Sequence, residues 1–191
     1  MSIKLKGSTD GSVTLQAPAD TSPTGTDKTF TLPTQDGSAN QALTTNASGA
    51  LSFFNGGPLF IAESTNNFAI SANVVTLFPA DDEQADTDNC WNNSTYRFTP
   101  NVAGYYQFNA TIRADIANQT ALHVYFYKNG SAVAAGGFSN ATNSQGSTTG
   151  SCIVQMNGTT DYMEFYVYSS VAGNALGGNQ STCSGAFIRP A

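Results

Sequence analysis

From Tyr96 to Ile112 the chain reads YRFTPNVAGYYQFNATI: a short extended run, a proline break, then a strand. Past the turn at Asn101 to Gly104, Tyr106, Phe108, Ala110 and Ile112 alternate with Tyr105, Gln107, Asn109 and Thr111. A period of two marks a strand with two unlike faces. The first set predicts a core face, and the second carries a tyrosine. The pattern recurs twice. In 121–128, Leu122, Val124 and Phe126 oppose His123, Tyr125 and Tyr127. In 161–169, Met163, Phe165 and Val167 oppose Tyr162, Glu164, Tyr166 and Tyr168.

Further strand signals fall at 59–63, 68–70, 73–78, 95–99, 131–138, 150–157 and 182–189, and nothing has helical periodicity. Lys128-Asn129-Gly130-Ser131 is a strong hairpin signal, and Asn157-Gly158-Thr159 is a second. About ten short strands separated by turns predict an all-β sandwich or jelly roll. Small polar residues fill 114–120, 139–149 and 171–181. These are expected to be loops at the ends of the sandwich, where binding usually lies.

Wide aromatic faces are rare on monomers, and tyrosine suits interfaces because it joins apolar area to a polar tip. Tyr105, His123, Tyr125, Tyr127, Tyr162, Tyr166 and Tyr168 are therefore expected to bury against sister subunits. A ring of ~150 Å² buried at ~25 cal/mol per Å² contributes up to ~4 kcal/mol.

Residues 1–57 differ from the rest. Their apolar positions come in isolated pairs, Ile3/Leu5, Val13/Leu15 and Phe30/Leu32, between Thr-, Ser-, Asp- and Pro-rich turns. Such pairs cannot build a core within one short segment. The segment must borrow one, from sister chains or from another protein. Asn55-Gly56-Gly57-Pro58 is the breaker that divides an extended, β-rich segment, 1–57, from a domain at 58–191.

Composition narrows the function. Charged residues are 10% of the 191, against about 25% in ordinary domains. Hydroxyl and amide groups keep such a surface wet. The net charge is −6 and the few Lys and Arg are scattered, which excludes nucleic acid as a partner. No run of 18 apolar residues predicts membrane insertion. The start, MSIKLKGSTDGS, has no apolar stretch of signal-peptide length, so synthesis in a cytoplasm is expected. Cys90, Cys152 and Cys183 are then expected to be free buried thiols; one disulfide with one free thiol is the alternative.

Two clusters carry candidate chemistry. Asp81, Asp82, Glu83, Asp86 and Asp88 crowd into eight residues. Asp81, Asp82, Asp86 and Asp88 could ligate Ca²⁺, which takes six to eight oxygens; a solvated acidic loop is the other reading. No other cofactor is expected. His123 is the only histidine, and it lies among tyrosines. No nucleophile–base pairing is legible, which argues against an enzyme.

From about Phe68 to Pro190 the chain resembles the C1q/tumour-necrosis-factor jelly-roll superfamily, nearest its C1q-like domains. The resemblance rests on Phe68-Ala69, Tyr96 to Pro100, Val102 to Phe108, Lys128-Asn129-Gly130, Ile153 to Val167 around Asn157-Gly158, and Ser184 to Pro190. It implies a ten-stranded domain that forms homotrimers, serves as a recognition head and is not an enzyme. The acid-rich stretch from Asp81 to Trp91 departs from the vertebrate pattern. Residues 11–53 resemble the attachment region of marine bacteriophage tail and head fibres. Together these imply a trimeric virion fibre or spike, with Ile3, Leu5, Val13, Leu15, Phe30 and Leu32 in the attachment to other virion proteins. Its C-terminal knob would recognise a host surface, such as a glycan or receptor. A capsid or tail decoration protein with no receptor role is the alternative. A lectin-like protein unattached to a virion would instead require residues 1–57 to be dispensable.

Overall fold

The computed structural model describes residues 2–6, 12–16, 29–38, 41–45, 48–54, 56–116, 119–141 and 145–191. They fall into two units, Met1–Gly56 and Gly57–Ala191.

In the first unit, β1 (Ser2–Lys6) and β2 (Ser12–Gln16) form an antiparallel pair with Ile3 opposite Leu15 and Leu5 opposite Val13. A second hairpin, β3 (Ala42–Thr45) with β4 (Leu51–Phe54), sets Leu43 opposite Phe53. The Phe30/Leu32 pair lies in no strand among the described residues. Only Thr31 pairs, in a single parallel bridge to Ala50. Pro33 follows at once and has no N–H to carry a ladder further. Phe30 and Leu32 remain 64% and 71% exposed, and Leu43 and Phe53 are exposed too. The turns at Ala17-Pro18 and Ser22-Pro23 lie outside the described residues.

The second unit is all β. Its strands are β5 (Leu59–Ser64), β6 (Phe68–Ile70), β7 (Val75–Leu77), β8 (Asp82–Asp86), β9 (Trp91–Asn92), β10 (Arg97–Phe98), β11 (Gly104–Asp115), β12 (Gln119–Lys128), β13 (Ser131–Ala141), β14 (Gln145–Met156), β15 (Met163–Ser169), β16 (Gly173–Ala175) and β17 (Gly178–Pro190). Each of the ten expected strands is there. β8, β9 and β16 are additional and lie where loops were expected. The loop expected at 139–149 is also largely strand, because Gln145 to Gly150 ladder onto Asp115 to Ala110. These segments lack apolar alternation, so only the partner strand reveals them.

Two antiparallel sheets face each other. One runs β13-β12-β15-β10-β9, with β7 also on β15. In the other, β14 flanks β11, whose far side continues through β17 and β5 to β8, while β16 and β6 extend the end of β11. Between them lies an aromatic core. Phe60 stacks on Trp91 and on Phe98 with ring centroids 4.6 Å apart in both pairs, and Phe108, Phe126 and Phe165 meet at their edges. Tyr106 is fully buried and its hydroxyl donates to the Val102 carbonyl at 2.6 Å. Burial raises that phenol's pKa strongly. The Asn129-Gly130 turn has the two positive φ values, 51° and 77°, that a tight hairpin needs.

Candidate functional site

The alternation at Leu122, Val124 and Phe126 and at Met163, Phe165 and Val167 points these side chains inward, each 0–1% exposed. Their neighbours form the outward face of the β12 sheet. His123 lies opposite Tyr168, Tyr125 opposite Tyr166, and Tyr127 opposite Glu164. Phe138, on β13, is opposite His123 and is 60% exposed. The rings touch: Phe138 to His123 is 5.3 Å between centroids, His123 to Tyr168 6.1 Å, and Tyr127 to Tyr166 4.3 Å.

This face is partly satisfied from within. The Tyr168 hydroxyl donates to Asn73 Oδ1 at 2.9 Å, and Tyr166 leans on Glu164 at 3.4 Å. Glu164 is buried and accepts from Arg97 Nε at 2.9 Å. That bond raises the Arg97 pKa, while burial and Glu164 together raise that of Tyr166. Arg97 also lies 4.1 Å from the Tyr162 ring centroid, a cation–π contact.

Tyr105 is not part of this surface. Six of the seven residues expected at one interface fall on two sheets, because β11 belongs to the opposite layer from β12 and β15, and Tyr162 lies just before β15. Tyr105 points out from the β11 sheet, opposite Gln155 on one side and Arg189 on the other. Around it the sheet exposes Leu59, Ile61, Ile153 and Ile188, at 36%, 43%, 64% and 47%. Two shallow hollows mark the face. Leu59, Ile61, Gln107 and Asn109 with Ser184 and Ala186 line one of about 330 Å³. Tyr105, Ile153, Ile188 and Arg189 line another of about 290 Å³.

Sequence reasoning missed the aliphatic members of this face. A signal existed, since Ser151, Ile153 and Gln155 alternate with Cys152, Val154 and Met156. Ile188 follows the same rule, since Cys183, Gly185 and Phe187 turn inward and Ser184, Ala186 and Ile188 alternate with them. A register shift between Tyr105 and Tyr106 then makes Arg189, rather than Ile188, the partner of Tyr105.

The acidic stretch is used locally. β8 is extended, which spreads Asp82, Glu83 and Asp86 along the strand. Asp81 accepts from the Thr65 N–H at 2.7 Å, Asp82 from the Gln84 amide at 2.9 Å, and Asp86 from the Trp91 N–H at 2.7 Å. Asp88 accepts from the Thr87 hydroxyl. The structure thus does not gather Asp81, Asp82, Asp86 and Asp88 around one point. Among the described residues no three His, Cys, Asp or Glu side chains converge as metal ligands.

The three cysteines are free thiols. Burial pushes Cys152 up to about 11 and raises Cys90 and Cys183 as well. Such thiols are poor nucleophiles near neutral pH. Among the described residues no helix is long and apolar enough to cross a membrane.

No protein family and no curated protein matches this sequence. Solved structures do. The globular domain of zebrafish complement 1qA protein superposes with a TM-score of 0.55 at 14% identity, over 70% of this chain and 99% of that one. Murine APRIL at pH 5.0 gives 0.56 at 7% identity, over 69% and 99%. The PRD1 vertex protein P5 gives 0.53 at 13% identity, over 81% of this chain and 85% of its own. The chain therefore has the all-β jelly roll of C1q and tumour-necrosis-factor-like domains.

Proposed function

We propose that this chain is a non-enzymatic virion protein that assembles as a homotrimer. Residues 1–57 attach it to other virion proteins, and the knob at 58–191 faces a host surface. The aliphatic face of the β11 sheet carries the assembly part of this reading. Leu59, Ile61, Ile153 and Ile188 have no polar tips, and water is a poor solvent for them. Fully burying one such side chain contributes ~1.5–3 kcal/mol, and about half remains to be gained at each. A second and third copy can cover this face, with Tyr105 at its end. Three is the stoichiometry that the C1q-like resemblance implies.

The exposed Phe30, Leu32, Leu43 and Phe53 support an attachment role for the first unit, since these residues find little cover within it. A vertex or decoration protein without a receptor role is the second reading. The likeness to PRD1 vertex protein P5 favours it, because that match is longer than the Gly57–Ala191 unit and takes in part of the first.

Light scattering tests assembly. The expected particle has three times the chain's 19.9 kDa, and Ile153→Lys with Ile188→Lys lowers that mass. A wild-type particle of 19.9 kDa overturns the proposal. Competition of the purified protein with virion adsorption separates the two readings. Saturable protection of host cells supports recognition, and no protection at any concentration leaves the decoration role. Antibody-labelled electron microscopy of particles then places the chain on the virion.

A further inference from the structure

With self-assembly assigned to the β11 sheet, the outward face of the β12 sheet is left uncovered. Its rings lie in rows set by strand pairing. Phe138, His123 and Tyr168 occupy directly opposed positions on three adjacent strands, with centroids 5.3 and 6.1 Å apart. Tyr125 sits beside His123, at 5.9 Å, and Tyr127 lies against Tyr166.

We propose that this aromatic face is a stacking platform for a neutral polysaccharide, one hexose lying on each ring of the Phe138, His123 and Tyr168 row. The proposal rests on the host-surface reading above and names the chemistry recognised. The rings of the row are 5.3 and 6.1 Å apart, close to the length of one pyranose unit, and successive planes tilt by 55° and 50°, so the row matches successive sugars of a twisted chain. The C–H-rich face of a pyranose is weakly positive, and the face of an aromatic ring is negative. Phenol hydroxyls both donate and accept, which suits the hydroxyl rim of a sugar.

Charge and area select this occupant. The carboxylate on this face, Glu164, is buried and held by Arg97. A cationic partner therefore finds no exposed carboxylate here, and the exposed cation at the edge of the face, Arg97, is already paired with Glu164 and set over the Tyr162 ring. The rings are already half-buried except for Phe138. They leave on the order of 400 Å² of ring surface, about half of what each side of a standard protein interface needs. That is too little for a second copy and ample for a few sugar rings.

Affinity electrophoresis of the full-length protein tests this, in gels carrying amylose, hydroxyethylcellulose, laminarin or agarose, with heparin as the charged control. At least one neutral polymer is expected to retard the protein. Phe138→Ala with His123→Ala is expected to weaken that retardation at least tenfold while leaving particle mass and melting curve unchanged. If that pair unfolds the protein, Phe138→Ser alone serves, since its ring is mostly in solvent. Retardation by heparin only, by no neutral polymer, or equally in wild type and variant overturns the platform. The virion competition assay keeps this failure distinct. Saturable host protection that survives Phe138→Ala sinks the platform and leaves recognition standing. Neutral-polymer binding without host protection does the reverse.

Discussion

Gly185 lies where two core rings close over β17. A Cβ there would come within 2.6 Å of ring carbons in both Phe60 and Phe108. Those rings are fully buried and cannot swing aside. Gly185→Val should therefore destabilise the knob by at least ~1–3 kcal/mol, read as a lower urea midpoint. An unchanged midpoint would mean that these rings are not packed as described. Asp161 acts at the same scale through charge. Desolvation works against its carboxylate, but Lys128, the Asn129 amide and the Asn157 N–H outweigh it and hold the pKa below the ordinary 3.8. A carboxyl held low in the folded state stabilises it above the unfolded pKa. That contribution fades as pH falls through the lower, folded value. Wild type should exceed Asp161→Asn in urea midpoint at pH 7, and the gap should close below about pH 4. A gap that persists at pH 2 would refute the linkage. Tyr96, in the stretch that first showed a two-faced strand, has φ of 57°. That is a costly conformation for a bulky residue, and the turn that imposes it is closed by the Tyr96 N–H to the Asn92 carbonyl.

At the scale of elements, the sandwich closes along one side where β13 meets β14. Gly136 and Gly150 make this approach. A Cβ on Gly136 would lie 2.7 Å from the Gly150 Cα and 2.4 Å from a Val124 methyl. Strands that each belong to a different sheet can come this near only without side chains. Gly150→Val is expected to part them, with faster hydrogen exchange in β13 and in Gln145 to Gly150 while β15 and β17 stay protected. Uniform protection across all four would contradict the closure. The faces of β11, β12 and β15 were legible because a period of two is a local property. β8, β16 and the first half of β14 were not. Their polar sequences have no preferred face, and they are strands only because a neighbour offers a ladder.

At the scale of the molecule, the aromatic core from Phe60 to Phe187 lies wholly within the second unit. A fragment beginning at Gly57 is expected to melt cooperatively near the full-length temperature, as seen by calorimetry. Loss of cooperativity would show that the first unit completes the knob. The residues alone determined the class of fold and the inward sides of its main strands, since alternation and turn chemistry are written along the chain. Only the tertiary structure decided which outward faces join. It set Tyr105 beside Ile153 and Ile188 on one sheet, and His123, Tyr125, Tyr127, Tyr166 and Tyr168 with Phe138 on the other. It also unfolded the acidic cluster into a strand whose carboxylates serve nearby N–H groups. The physical reason is the same in each case. Period two fixes the side of a strand from its own sequence, but sheet membership is settled by ladders between strands far apart in the chain.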